Sequence, residues 1–330
     1  MGPATGETQF DYDVVVVGGG PAGCSAAVYT ARDDLETVVF DRGSSSLRRC
    51  AYLENYLGFP VGIDIETFYD LLHDHAEAAG CDLVADLVET VDRDDGDDNG
   101  FVVETQDGTT VTTRYVVAAA RYDGEFLRGL DDDDAMFETH DHGGEEHAHF
   151  DPDYAESDGQ TPVDGLYVAS PSGERDVQAI VAAGQGAHVS RTLLSEHRRK
   201  EGYPEGILAN RYDWVRSDTE FEGEWSERER WQDWFEAQVP ADPDTDRDRL
   251  DELRERVINR AFDSHRSDED VAELTEDGHR ALAEHLDPDV LADVVDTDRV
   301  LERVDDERLR TALDGRDETR DSQNTESNVV

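Results

Sequence analysis

Residues 12–32 read YDVVVVGGGPAGCSAAVYTAR, and this stretch decides the fold. A β-branched run, Val14 to Val17, empties into Gly18, Gly19, Gly20, Pro21, Ala22 and Gly23, and then into a segment of small residues. The order strand, tight turn, helix points several backbone N–H groups and the positive end of a helix dipole at one anionic group. Gly18 suits the turn, Gly20 the close approach of a pyrophosphate, and Gly23 the packing of helix on strand, with Pro21 and Ala22 completing the turn. A second β-branched run, Thr37 to Phe40, ends at Asp41, 23 positions after Gly18, where an acidic side chain can meet a ribose hydroxyl pair. The spacing predicts an α/β fold, a Rossmann-like dinucleotide-binding domain on a parallel sheet.

Working outward, composition excludes several classes. The chain has 330 residues, 81 of them acidic against 30 basic, for a formal net charge of -51, and Lys200 is its only lysine. Acidic residues scattered this evenly act as a solvation device, which suits a salt-rich cytoplasm where counterions screen them within a few Å. No basic stripe exists for nucleic acid or an anionic membrane, so neither is expected as a partner. The first residues, MGPATGETQFDYD, have no basic or apolar signal region, and no run of about 18 apolar residues suggests a membrane span. Cys24, Cys50 and Cys81 are well separated and form no CxxC, which argues against a disulfide framework or a zinc ribbon.

Along the chain, residues 1–10 read as a disordered lead and 11–198 as the dinucleotide-binding domain. After the βαβ opening, Ile65, Phe68, Leu72 and Ala76 fall on one face of a helix expected over 65–79. Cys81 to Val84 reads as a third parallel strand. Leu87–Val91, Phe101–Thr105 and Thr109–Val117 alternate apolar and polar residues and predict a β-meander covering one face of the sheet. The last run ends in Ala118, Ala119 and Ala120, where side chains shrink beside a close backbone approach. Residues 131–160 form an acidic, histidine-rich connection. Leu166–Ala169 then reads as a buried strand and Val177–Leu194 as a small-residue helix. Residues 199–225 read as a linker and 226–314 as a helical module, with a capping box at Ser226 and Glu229, helix caps at Ser267 and Asp287, and tryptophans expected in its core. Residues 315–330 read as a disordered tail.

Two blocks of the sequence resemble the FAD-binding half of thioredoxin reductases, within the two-dinucleotide flavoprotein class. Leu53 to Pro60, LENYLGFP, is similar to that family's ENxPGF loop near the flavin, with Leu57 where the family has Pro. Ala119 and Ala120 stand where the family has the Thr and Gly of an ATG strand end. From Thr161 onward, Ala169 matches the start of the family's AGD motif, Ser170 and Pro171 replace its Gly and Asp, and Gln178 matches the Gln that follows near the ring. The resemblance implies FAD, with Gly18, Gly20, Pro21, Ala22 and Gly23 at the pyrophosphate, Asp41 at the ribose, and Asn55, Ala119, Ser170 and Gln178 along the flavin. It also implies a homodimer. Between the two blocks the family carries a nicotinamide domain and a redox CxxC. Here only the 30 positions from Asp131 to Gln160 intervene, whereas a domain with its own core needs at least about 50.

Two further sets of residues have chemical potential. Cys50 follows Arg48 and Arg49, cations that favour a thiolate, and precedes the flavin-proximal loop; it is either a reactive thiol or an ordinary half-buried loop cysteine. His140, His142, His147 and His149 form two HxH pairs around Gly143 and Gly144; they are either ligands for zinc, copper or nickel or polar filler in a solvated loop. The functional expectation is an FAD-dependent oxidoreductase whose electrons come from a redox partner protein, a free nicotinamide or a small-molecule substrate. The alternative is a catalytically inactive, nucleotide-binding regulatory or interaction protein.

Overall fold

The structure is a computed structural model and describes residues 10–43, 45–94, 96, 99–120, 124–142, 145–169, 178–208 and 214–311. Strand β1 (Tyr12–Val17) leads through the glycine turn into helix α1 (Pro21–Ala31), then to β2 (Thr37–Phe40), α2 (Ile65–Ala78) and β3 (Asp82–Val84). Strands β4 (Val88–Arg93), β5 (Phe101–Thr105) and β6 (Thr110–Ala118) form the meander, and β9 (Leu166–Val168) follows a hairpin of β7 (Phe137–His142) and β8 (Glu145–Phe150). The parallel part of the sheet runs β3-β2-β1-β6-β9, registered by Val15 against Val38 and Val116.

The β1 run is apolar on every residue because both its faces are covered, as parallel strands require. With a period of two, Val15 and Val17 enter one core, with Phe101, Leu127 and Met136. Val14 and Val16 enter the other, with Ala26, Tyr115 and Leu193. The alternating pattern suggests a meander laid across one face. Instead β6 belongs to both systems: it pairs β1 along one edge and on the other pairs β5 antiparallel through its first half and β9 parallel through its second. The meander therefore continues the sheet and curls enough for Val91 and Val103 to join the Val15 core.

Helix α3 (Ala179–Glu201) runs seven residues past the expected end at Leu194, and closes on Arg198, Arg199 and Lys200 before Gly202 at φ 92. Cations in the last turn and a left-handed glycine after it are favourable termini. It crosses α1 closely: a Cβ on Gly186 would lie 2.0 Å from the Ala22 carbonyl oxygen.

The acidic connection is more ordered than a solvated loop. Met136 and Phe137 are buried in the main core and Phe150 packs against it, so the hairpin is anchored at its base. The stretch read as a linker supplies Tyr203, Ile207 and Leu208 to a core with Phe235, Leu250 and Leu253 of helices α4 (Arg228–Glu236) and α5 (Arg247–Asp263). Phe235 is fully buried, whereas Trp214 and Trp225 are exposed and Trp231 and Trp234 are half-buried, so the tryptophans are not the core of this part. Ser226 does not cap α4: its hydroxyl donates to the Gly223 carbonyl, while Glu227 occupies the cap position without a side-chain hydrogen bond. The caps at Ser267 and Asp287 do form.

The chain divides into two compact units, residues 1–274 and 275–330. In the first, Arg198 and Arg260 converge on the buried carboxylate of Asp33, tying α3 and α5 to the end of α1. The described part of the second holds the end of a helix over Asp268–Glu284 and two short helices, Pro288–Val294 and Thr297–Arg303, with Leu282, Val290, Val294 and Leu301 exposed. Among the described residues no helix is long and apolar enough to cross a membrane.

Candidate functional site: a glycine turn and its acidic neighbour

Gly18 leaves β1 at φ 112, a conformation open to glycine, and its N–H donates to the Phe40 carbonyl at 2.8 Å. A Cβ at Gly23 would fall 1.7 Å from the Gly18 carbonyl oxygen, so helix and turn touch main chain to main chain. Ala119, at the end of β6, donates its N–H to Val17 at 2.9 Å, and its carbonyl oxygen would lie 3.0 Å from a Cβ on Gly18. Gly20 caps α1 without a side-chain hydrogen bond, Pro21 opens the helix, and Ala22 is buried under α3. The first N–H groups of α1 thus emerge into a cradle of glycine main chain, the geometry that accepts a phosphate.

Asp41 stands at the end of β2 against Gly19, where a glycine Cβ would come within 2.6 Å of its own Cβ. Its carboxylate accepts from the Gly43 N–H at 3.1 Å and lies 3.5 Å from His73 Nε2, which also donates to the Gly19 carbonyl at 3.0 Å. Burial pushes the Asp41 carboxyl up, but the hydrogen bonds from His73 and from Gly43 outweigh it and hold the group below its ordinary value. The same carboxylate, aided by the Cys24 side chain and opposed by burial, raises the His73 imidazole to about 10. His73 is therefore a cation at neutral pH that bridges the turn, the strand end and α2. The spacing rule finds Asp41 but not this partner.

Helix α2 brings a second unanticipated group. Its buried face is Ile65, Phe68, Tyr69 and Ala76, with Leu72 only half-buried, so it is rotated toward Tyr69 and His73 relative to the sequence expectation. The Tyr69 ring meets His73 edge-on at 5.5 Å and carries the Arg48 guanidinium over its face at 4.7 Å. Its hydroxyl is buried beside Gly20 without a hydrogen-bond partner among the described residues. The i, i+4 spacing of Tyr69 and His73 is the signal the sequence offers for them.

At the other end, Asn55 Nδ2 donates to Gln178 Oε1 at 2.7 Å, joining the aromatic loop to the start of α3 across 123 positions of sequence. The loop is held to α2 by Tyr56 and Phe59 packing on Phe68 at 4.8 and 6.0 Å, while Leu57 is 87% exposed. Ser170 and Pro171 lie outside the described residues.

Cys50 is exposed at the end of a 3-10 turn over Ser46–Arg49, and one of its two flanking cations, Arg48, is stacked on Tyr69. Cys24 donates its thiol to the Gly19 carbonyl, and burial pushes the Cys81 thiol up to about 12, so both serve as core residues. In the hairpin the backbone register sets His140 opposite His147 and His149 opposite Glu138. The side chains of His140, His142 and His147 lie outside the described residues, among which there is no metal-ligand cluster; His149 is exposed.

A glycine turn between a doubly buried parallel strand and a helix, with an acidic residue at the next strand end, defines a Rossmann-like α/β fold. Residues 12–120 match the family described as pyridine nucleotide-disulphide oxidoreductase. Curated relatives over this region include the thioredoxin reductase of Listeria monocytogenes, 34% identical over 113 residues, covering 33% of this chain and 33% of that protein. The thioredoxin reductase of Streptomyces coelicolor is 37% identical over 83 residues, covering 24% of this chain and 26% of that protein. The thioredoxin reductase structure from Gloeobacter violaceus aligns with a TM-score of 0.45 at 18% identity, covering 58% of this chain and 96% of that one. Over its N-terminal third the chain is thus similar to thioredoxin reductases, and it spans about a third of the length of the curated relatives it matches.

Proposed function

We propose that the protein is an FAD-dependent oxidoreductase of thioredoxin reductase-like descent that takes electrons from an external donor, because the chain carries neither a second glycine fingerprint nor a CxxC. The observation that supports it most is the cradle itself: Gly18 and Gly23 in main-chain contact, Gly20 free of any such close approach, and Asp41 at the neighbouring strand end. These residues fit a dinucleotide. Bound there, FAD would supply hydride and electron transfer at its ring, which protein side chains alone do not provide.

The chain's own residues then divide the work. The α1 N-terminus and the turn bind the pyrophosphate, and Asp41, neutralised by His73, borders the adenosine ribose. Asn55 and Gln178, joined by a hydrogen bond between exposed side chains, orient the ring end. Cys50 is a candidate redox-active thiol, and a redox partner protein or a small substrate completes the reaction. We place this reaction in a salt-rich cytoplasm, with no role for nucleic acid or membrane, and with a homodimer as the working assembly.

The test is an absorbance spectrum of protein purified in high salt, followed by denaturation to identify the released nucleotide. Stoichiometric FAD, reducible by NADH, NADPH or a ferredoxin in stopped flow, is the expected result. Absence of flavin after incubation with excess FAD would remove the oxidoreductase reading in favour of a nucleotide- or partner-binding protein.

A further inference from the structure

We propose that Tyr69, Ser45 and Arg48 form a second wall of the phosphate site, so that a nucleotide diphosphate is gripped by side chains opposite the glycine main chain. This deepens the nucleotide-binding reading and rests on it. Tyr69 is 1% exposed, yet its hydroxyl has no hydrogen-bond partner among the described residues. A buried hydroxyl is costly to leave unsatisfied, so its position asks for an acceptor. That position is beside the α1 N-terminus: a Cβ built on Gly20 would lie 3.8 Å from the Tyr69 hydroxyl oxygen and 3.5 Å from Ser45 Oγ. Gly20 has no side-chain cap of its own.

The third component is charge. In a chain with 81 acidic residues, Arg48 forms no ion pair among the described residues and lies instead over the Tyr69 ring at 4.7 Å. A guanidinium held on the ring face keeps its N–H fork available to a phosphate oxygen. The nearby carboxylate of Asp41 would repel such an anion, but it faces the His73 cation. Burial pushes the Tyr69 hydroxyl up to about 12 against the opposing pull of the neighbouring Ser45 and Arg48, so it remains a donor throughout the neutral range. Sequence order also fits: Ser45, Arg48 and Tyr69 come from the 3-10 turn and α2, elements that reach the glycine turn independently of α1. The ligand class is a molecule with a diphosphate, in preference to a nucleoside or a bare isoalloxazine.

The experiment measures dissociation constants for FAD, ADP and riboflavin in high potassium chloride by titration calorimetry and flavin fluorescence, for the wild type, Tyr69→Phe and Arg48→Gln. Tyr69→Phe keeps the ring and the Arg48 stack and removes one donor. It is expected to weaken FAD and ADP by about tenfold or more, the loss of one hydrogen bond to a charged group, while riboflavin is unaffected. Arg48→Gln, outside the buried core, guards against misfolding of the first variant and is expected to weaken both diphosphates and flatten their salt dependence. Equal FAD affinity in all three proteins would overturn the second wall and leave the flavoprotein reading intact. Binding of ADP but not FAD by the wild type, with the variants weakened, would do the reverse. Failure of the wild type to bind either would overturn both.

Discussion

The two ends of the candidate site are built from different materials. At the glycine turn, contacts are main chain against main chain: Gly23 on Gly18, Gly18 on Ala119, Gly186 on Ala22. At the end where the resemblance expects the ring, a hydrogen bond between two exposed amides, Asn55 and Gln178, joins loop to helix, with Ala179 packed beside it against Leu53 and Ile63. The first arrangement tolerates no added atom, and its meaning is carried by residue type alone. The second tolerates much substitution, and its meaning depends on where two distant segments meet. Of the departures from the thioredoxin reductase motifs, Leu57 falls on the tolerant side, whereas Ala119 and Ala120 lie against Gly18 at the turn.

That contrast can be tested most severely at the turn. Gly23→Ala places a methyl group 1.7 Å from a carbonyl oxygen, so helix and strand must separate. Loss of about 1–3 kcal/mol of stability and of all measurable nucleotide binding is expected, read by thermal melting and FAD titration in high salt. A Gly23→Ala variant that still bound FAD would show that the turn yields more readily than its contacts suggest.

A smaller effect is expected from the pair that braces the turn. Replacing His73 with Gln removes a charged hydrogen bond worth about 1.5–3 kcal/mol and leaves Asp41 without its cation. Because the His73 pKa is raised in the fold, its stabilisation is complete below its ordinary value of 6.5 and fades as pH rises through about 10. Asp41 is lowered, so its share is present above the ordinary value of 3.8 and fades as pH falls through its folded value. Wild-type stability, followed by chemical denaturation, should therefore exceed that of His73→Gln most across neutral pH, with the gap narrowing toward both extremes. A gap that stayed constant from about pH 5 to about pH 10.5 would rule out the ion pair as its source.

The smallest change in stability belongs to the ring end. Asn55→Ala or Gln178→Ala should cost about 0.5 kcal/mol or less, since an exposed hydrogen bond is exchanged for water. If the pair orients a flavin, the same variants should nevertheless shift the visible absorbance or fluorescence of bound FAD. Silence in both readouts would remove these residues from the site.

The legibility of the molecule follows the same division. Val14 to Val17, the glycines and Asp41 can be read because steric demands act within a few residues or at a fixed strand-to-strand spacing. Tyr69 and His73 are harder to read: their i, i+4 spacing marks a shared face, but an apolar stripe records which face is buried and not that its rim is polar and set beside the glycine turn. The hairpin of residues 137–150 is hidden because its alternation is written in Glu, Asp and His, poor strand formers, and is held by Met136, Phe137 and Phe150 instead. Phe235 rather than the neighbouring tryptophans fills the helical core, a choice that helical spacing alone leaves open.

The close crossing of α1 by α3 also has a consequence in time. Ser190 donates to the Ala26 carbonyl across 164 positions of sequence, and Gly186 covers Ala22 across the same distance. On a ribosome adding about 5–20 residues per second, the glycine turn would emerge on the order of ten seconds or more before its covering helix. During that interval the apolar back of α1 has no lid, and the nascent chain must be kept from aggregating by its own charge or by a chaperone. The dense acidic surface thus has work to do before the protein is finished, as mutual repulsion between chains whose binding site is still half built.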